Sequence, residues 1–245
     1  MTELKGIAAC FENILRDWEA RRMGSSACHN CPLSHQTNGP VLGVGNRTNP
    51  RIMAVGESPN EEQQTEVKSV REVKEFLDRY WEKAESSSSR GWKKMARLMR
   101  QIFEDLPDGR ESVYLTNVCK CASNALDDHP EQNAISFEIC SAHLRKEIDC
   151  VNPKLMVVFG EKALNGLHDC LHRMDPAAGA VLDEAVVGSE SFSDIEGEPI
   201  PIPKRGYTIL PVYHWSRGES FSSTQDKGDY PNRIRGIIAS LLGNS

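Results

Sequence analysis

The sequence predicts an α/β fold in which helices cover both faces of a short, mostly parallel sheet. Three observations carry this. Four brief apolar runs recur along the chain: Ile52–Val55, Ser112–Thr116, Lys154–Phe159 and Tyr207–Tyr213. Stretches with apolar residues at helical spacing separate them. The first and third runs stop at Gly56 and Gly160, where a glycine can turn the chain out of a strand. Strands that alternate with helices bury a parallel sheet on both faces.

Taken in order, Leu4, Ile7, Phe11, Ile14, Leu15 and Trp18 mark an amphipathic first helix ending near Gly24. Cys28-His29-Asn30-Cys31-Pro32-Leu33 follows, and a C-x2-C turn lets two thiolates reach one metal. His29 reads as a loop residue more readily than as a ligand. Val41–Asn49 reads as a Gly- and Asn-rich connector into the first strand, Ile52–Val55. In open α/β sheets ligands bind beyond the carboxyl ends of strands, so Glu57 faces a crevice.

Val67, Val70, Val73, Phe76, Leu77 and Tyr80 suggest a helix, and Ser86–Ser89 breaks it. Trp92, Met95, Met99, Ile102, Phe103 and Leu106 give the next helix its apolar face. Its other face carries Lys93, Lys94, Arg97 and Arg100. That basic face suits solvent and phosphate contacts about equally. The second strand runs into Asn117-Val118-Cys119-Lys120-Cys121, and a helix over Glu131–Asp149 carries Cys140. After the third strand, Gly160 opens a helix through Leu171. Asp175–Pro203 reads as an irregular, acidic, Gly- and Pro-containing excursion. The last strand ends at His214-Trp215-Ser216-Arg217, and Ile234, Ile237, Ile238, Leu241 and Leu242 mark the closing helix.

Composition narrows the class. The chain has 245 residues, 39% hydrophobic and 26% charged, which suffices for one sizeable core. No run approaches the ~20 apolar residues of a membrane span. The first residues lack the basic-then-apolar layout of a signal peptide. Eight cysteines in that setting predict a reducing compartment, the cytoplasm, with metal-binding or catalytic thiols rather than disulfides. A net charge of −6 does not advertise nucleic-acid binding, although a local basic face is enough to hold a few phosphates.

The order C-x2-C-P-L, VLGVGNRTNPRIMAVGESPN, VYLTNVCKC, a helical cysteine, NPKLMVVFGEKAL and LPVYHWS resembles the uracil-DNA glycosylase superfamily, in particular its family-four iron–sulfur branch. The likeness runs from about Cys28 to Arg217. It implies a three-layer α/β/α sandwich: a single domain over 1–245, with insertions near 65–90 and 175–205. It also implies DNA as partner and a monomer as the acting form.

Carried onto this chain, the family's ligand set falls on Cys28, Cys31, Cys121 and Cys140. Four thiolates suit [4Fe–4S] or structural zinc, and the family implies the cluster. Cys119 falls where the family has an apolar residue, and Cys10, Cys150 and Cys170 read as small buried hydrophobes.

The resemblance implies catalytic roles for Glu57, which can position or deprotonate water, and His214, which can stabilise the departing base. Gly56, Ser58, Pro59 and Asn60 line the nucleotide pocket, and Asn117 faces the Watson–Crick edge of an extruded base. Lys93, Lys94, Arg97 and Arg217 are the candidate DNA contacts.

The departures concern the base. Asn60 stands where the family commonly has Gly, and Gln63 stands where an acidic side chain meets the C5 edge. The family's Gly-Arg-Pro-Phe stretch, whose Phe stacks on uracil, is replaced by the longer Thr65–Arg90. Trp215 replaces a proline, either as a wedge into the duplex stack or as a loop aromatic. These changes predict activity on a C5-modified pyrimidine, such as glucosylated hydroxymethylcytosine of phage DNA, in an antiviral role. In the plainer version Tyr80 or Trp92 replaces the missing Phe and the base is uracil. A different class also fits: a catalytically silent nucleic-acid-binding module. Glu57, Asn117 and His214 together favour the enzyme.

Overall fold

The structure is a computed structural model that describes residues 27–35, 41, 43–46, 49–59, 75, 78–106, 109–121, 129–216 and 230–243, with isolated positions near 12–20. The expected first helix and the helix over Val67–Tyr80 fall largely outside the described residues.

Among the described residues six strands form one sheet: β1 Val44–Gly45, β2 Ile52–Gly56, β3 Tyr114–Asn117, β4 Leu155–Phe159, β5 Ile200–Ile202 and β6 Tyr207–Val212. Their order is β1-β3-β2-β4-β6-β5. The inner strands β3, β2, β4 and β6 pair in parallel. The edge strands β1 and β5 are antiparallel to their neighbours. The mostly parallel sheet of the sequence reading is therefore present, and both edge strands are additions to it. Val44–Gly45 is too short to show a period, and it lies in the stretch read as a connector.

Seven α-helices are described: α1 Tyr80–Ser86, α2 Arg90–Phe103, α3 Pro130–Val151, α4 Glu161–Met174, α5 Pro176–Val187, α6 Phe192–Ile195 and α7 Tyr230–Gly243. Single 3-10 turns sit at Ala27–Asn30, Pro32–His35 and Gly109–Ser112. The serine breaker is real: α1 ends at Ser86, and the Ser89 side chain caps α2 by accepting the Trp92 N–H.

Because strand side chains alternate between faces, each inner strand feeds two cores. Ile52, Ala54, Leu115, Val157, Phe159 and Leu210 join Trp92, Met95, Met99 and Phe103 of α2 and Ile234 and Ile238 of α7 on one side. Met53, Val55, Tyr114, Met156, Val158 and Ile209 meet Leu144 and Ile148 of α3, Leu164 and Leu167 of α4 and Leu182 of α5 on the other. This is the three-layer α/β/α arrangement. Strands buried on both faces have no polar alternation, which is why they read as plain apolar runs.

The excursion over Asp175–Pro203 is not irregular. Asp175 caps α5 by accepting the Ala177 and Ala178 N–H groups, with Pro176 in the first helical turn. Ser191 and Asp194 form a capping box on α6. Its glycines, prolines and acids are helix starts and turns that composition alone disguises.

Candidate active site

Since β2, β3, β4 and β6 run in one direction, their C-terminal ends share an edge. Gly56 and Asn117 are register partners at the ends of β2 and β3. Glu57 follows β2, Gly160 follows β4 and His214 lies two residues beyond β6. A cleft of about 260 Å³ opens there, lined by Glu57, Phe159, Gly160, Lys162, Tyr213 and His214 among others. The edge is also where α4 begins, so its first backbone N–H groups face the cleft.

Two glycines let the cleft close around these groups. Gly160 has φ of +92°, a conformation that side-chain-bearing residues rarely adopt, and a Cβ there would lie 3.0 Å from His214 Cβ. At Gly56 a Cβ would lie 2.5 Å from Asn117 Oδ1 and 2.9 Å from Trp215 Cη2. The Asn117 amide and the Trp215 indole thus lie directly over the Gly56 backbone.

Trp215 is turned inward, its ring centroid 4.1 Å from that of His214 and 5.6 Å from that of Phe159. It packs against the core at the edge of the cleft, beside the lining residues Phe159 and His214. Tyr80 and Trp92, the aromatics considered as substitutes, are 2% and 4% exposed and belong to the core beneath the sheet. They are not available to a ligand.

His214 Nδ1 accepts the backbone N–H of Ser216 at 3.3 Å and lies 2.7 Å from Ser216 Oγ. A ring nitrogen that accepts from a backbone amide carries a lone pair, so the proton of the neutral ring sits on Nε2. Glu57 Oε1 is 3.2 Å from Lys162 Nζ, and the Glu57 carbonyl accepts the Cys119 N–H at 2.9 Å. The carboxylate therefore has a cation beside it, and its loop is stapled to the loop after β3. Ser58 is half-buried and Pro59 buried behind it, while Asn60, Gln63 and Arg217 lie outside the described residues.

A profile of the uracil DNA glycosylase superfamily matches residues 42–227, more than half of the chain. The chain belongs to the uracil DNA glycosylase superfamily. It is 29% identical over 139 residues to a type-4 uracil-DNA glycosylase of Thermotoga maritima, covering 56% of this chain and 59% of that one. A type-4 uracil-DNA glycosylase of Saccharolobus solfataricus is 26% identical over 189 residues, covering 76% of this chain and 70% of that one. The chain thus spans about three fifths of the Thermotoga protein.

Within this member of the superfamily, the cysteines gather beside the cleft. Cys31, Cys119 and Cys140 are buried in one cluster with Leu33, and Cys121 packs against it. One face of α3 receives the N-terminal turns: Ser136 Oγ is 3.7 Å from Cys31 Sγ and His143 Nε2 is 3.3 Å from Cys28 Sγ, with Cys140 between them. Cys140 Sγ accepts the Lys120 N–H at 3.4 Å and lies 3.9 Å from Cys119 Sγ. The hydrogen bond to Cys140, followed by burial, pushes the Cys119 thiol well up, whereas that same bond draws the Cys140 thiol down against the effect of burial. Cys170 is buried under α3, its thiol pushed up to about 12 by desolvation. Cys150 is half-buried between the cores, and Cys10 lies outside the described residues.

Three features escaped the sequence. Ser216 and Lys162 act on the two expected catalytic side chains but sit in stretches with no residue-type signal of their own. The third is a buried pair, Lys120 and Glu147, 2% and 1% exposed. Lys120 Nζ reaches the Asn117 carbonyl at 2.6 Å and Thr116 Oγ1 at 2.7 Å, while Glu147 accepts from Thr116, Tyr114 and Lys120. This network ties α3 to the end of β3 and fixes where Asn117 leaves the sheet. Breaking one partner of such a pair leaves an uncompensated buried charge, which typically costs about 3–5 kcal/mol.

Lys93 and Arg97 are exposed on α2 and Lys94 is half-buried. None of them lines the cleft. Among the described residues no helix is long and apolar enough to cross a membrane.

Proposed function

We propose that the protein is a monofunctional DNA glycosylase, hydrolysing the N-glycosidic bond of an extruded pyrimidine and leaving an abasic site. The observation that carries this reading is the meeting of Glu57, Asn117 and His214 at the ends of β2, β3 and β6, with His214 Nδ1 accepting the Ser216 N–H. The names of the two relatives support uracil as the base.

The chemistry follows from the groups. As the bond from the base nitrogen to C1′ breaks, its electron pair leaves with the base and the sugar gains oxocarbenium character. The His214 Nε2–H donates to the base oxygen on which negative charge builds. The Glu57 carboxylate stabilises the sugar cation and orients a water molecule, taking its proton as the oxygen bonds to C1′. The Asn117 amide, with both donors and an acceptor, reads the Watson–Crick edge. The Trp215 indole takes the stacking role that the replaced Phe has elsewhere in the family. Lys93, Lys94 and Arg97 contact phosphates from outside the cleft, Arg217 is a further candidate phosphate contact, and one chain binds one site as a monomer.

A [4Fe–4S] cluster would be held by Cys28, Cys31, Cys121 and Cys140. The residues fit the group, since thiols converge on one face of α3 and His143 stands ready to donate to the Cys28 sulfur. When bound it would contribute structurally, tying the N-terminal turns to the loop after β3, whose Cys119 N–H holds the Glu57 carbonyl.

A C5-modified pyrimidine, including glucosylated hydroxymethylcytosine of phage DNA, is the finer form of the reading. A groove of about 540 Å³ between α3 and α4 supports it, because it meets the cleft at Glu57 and Lys162 and has room for a substituent.

Abasic-site formation on uracil-containing, hydroxymethylated and glucosylated DNA tests these statements together. Release from any of them, lost by about 100–1,000-fold in His214→Ala and Glu57→Ala with DNA binding retained, is the expected result. Release of uracil alone removes the modified-base form. Equal rates in the parent and both variants refute the assigned roles, and no release from any substrate leaves the silent binding module.

A further inference from the structure

Away from the cleft, α4 and α5 bring together a second set of ligating side chains. His168 and His172 are one turn apart on α4 and so share a face. Asp183, on α5, stands opposite, with Oδ1 2.6 Å from His168 Nε2 and Oδ2 2.7 Å from His172 Nε2. The ligand atoms of all three residues lie within 4.8 Å of one another. The two rings meet edge to face at 4.5 Å.

His168 has a carboxylate at each end of its ring, because Asp169 Oδ1 is 3.1 Å from Nδ1. A neutral imidazole has a single N–H and can donate to only one of them. With the proton directed at Asp169, the Nε2 lone pair points at the Asp183 oxygen, an arrangement satisfied by a cation between them or by a second proton. A carboxylate that orients a histidine through the nitrogen remote from a metal is a recurring feature of zinc sites.

The packing is also built for this meeting. A Cβ at Gly179 would lie 2.6 Å from His172 Cγ, so α5 reaches the ring only because that residue is glycine.

We propose that His168, His172 and Asp183 bind a divalent transition ion of the zinc type, with water completing its coordination. Two imidazole nitrogens and one carboxylate oxygen are a donor set that zinc favours. Ligand distances of about 2.0–2.1 Å around a tetrahedral ion hold neighbouring donors roughly 3.3 Å apart. The half-exposed Asp183 therefore swings outward by about half an ångström to admit it. The ion braces α5 against α4. From α5 the chain continues to Phe192, which lines the cleft and lies 5.8 Å from the Tyr213 ring. The site is independent of the base that the protein excises.

The test uses full-length protein carrying its cysteine-bound metal, stripped of loosely held ions with a chelator and then equilibrated with Zn²⁺ alone. Bound zinc and iron are counted per chain in the parent, in His172→Ala and in the near-isosteric Asp183→Asn. The difference between parent and variants separates this site from zinc taken up by thiols. The parent should hold one more zinc than either variant, with iron unchanged. At a hundredfold excess over Kd, zinc should raise the parent's melting temperature by roughly 5–10 °C and leave the variants unmoved. If His172→Ala fails to fold, Asp183→Asn reads the same difference. Equal zinc counts and no zinc-dependent stabilisation would overturn the proposal and leave a proton-held carboxylate clamp in its place.

Discussion

Replacing Gly56 with alanine tests the crevice at its narrowest point. The new Cβ would stand 2.5 Å from Asn117 Oδ1 and 2.9 Å from Trp215 Cη2, against a closest tolerated approach of 3.0 Å. The Asn117 amide must therefore retreat by about half an ångström, and the indole must shift as well. Asn117 is 7% exposed, with its carbonyl held by the buried Lys120, so the displacement cannot relax freely. Overpacking of this kind costs about 1–3 kcal/mol, or roughly 2–12 °C in melting temperature for a chain of this length. The effect on rate is larger in proportion, since misplacing substrate-positioning groups by about 1 Å can cost ~100-fold.

Single-turnover excision with enzyme in excess reads the chemical step, and a thermal melt reads the packing. Gly236→Ala is the control: nothing lies within 4 Å of a Cβ there, and the helical position should gain up to about 1 kcal/mol. A Gly56→Ala protein that melts and excises like its parent would refute the inward placement of Asn117 and Trp215.

Cys121→Ser should lose the cysteine-bound metal and lower the melting temperature, whereas Cys119→Ser should keep about four irons per chain, the loading of a [4Fe–4S] centre. Metal analysis decides between them, and colourless, zinc-loaded parent protein would replace the cluster while keeping the ligands. Neutralising Lys93, Lys94 and Arg97 together should weaken DNA binding and reduce the salt slope by close to three, which titrations at several salt concentrations measure. An unchanged slope would make that face a solvated one. The Glu85 carboxyl is held below its ordinary range, first by the hydrogen bond from Arg110, which also lies 4.6 Å over the Trp81 ring. Because the folded-state pKa is depressed, the added stability is present above pH ~4.3 and is lost as pH falls through the folded value. Melting temperatures from pH 5 to pH 3 should therefore fall more steeply for the parent than for Glu85→Gln.

Much of this molecule is legible in one dimension. The apolar runs at Ile52, Lys154 and Tyr207 and the stops at Gly56 and Gly160 depend on local period and backbone chemistry, which sequence carries directly. So does the serine break between α1 and α2. The order of the motifs was enough to identify the superfamily and to put Glu57, Asn117 and His214 at strand ends. The reading failed where local signals mislead: β1 is two residues long, and Asp175-Pro176 is a helix cap inside a stretch whose composition resembles a loop.

What the sequence by itself determined was the alternation of strand and helix and the residue types at strand ends, because both follow from interactions between near neighbours. Only the tertiary structure decided the strand order that sets Asn117 beside Gly56, the inward turn of Trp215 and the tautomer that Ser216 imposes on His214. It alone joined Lys120 to Glu147, and His168 and His172 to Asp183. Each of these depends on which way a side chain points once elements from different parts of the chain have packed, and that direction is set by the space and hydrogen-bonding partners that packing leaves.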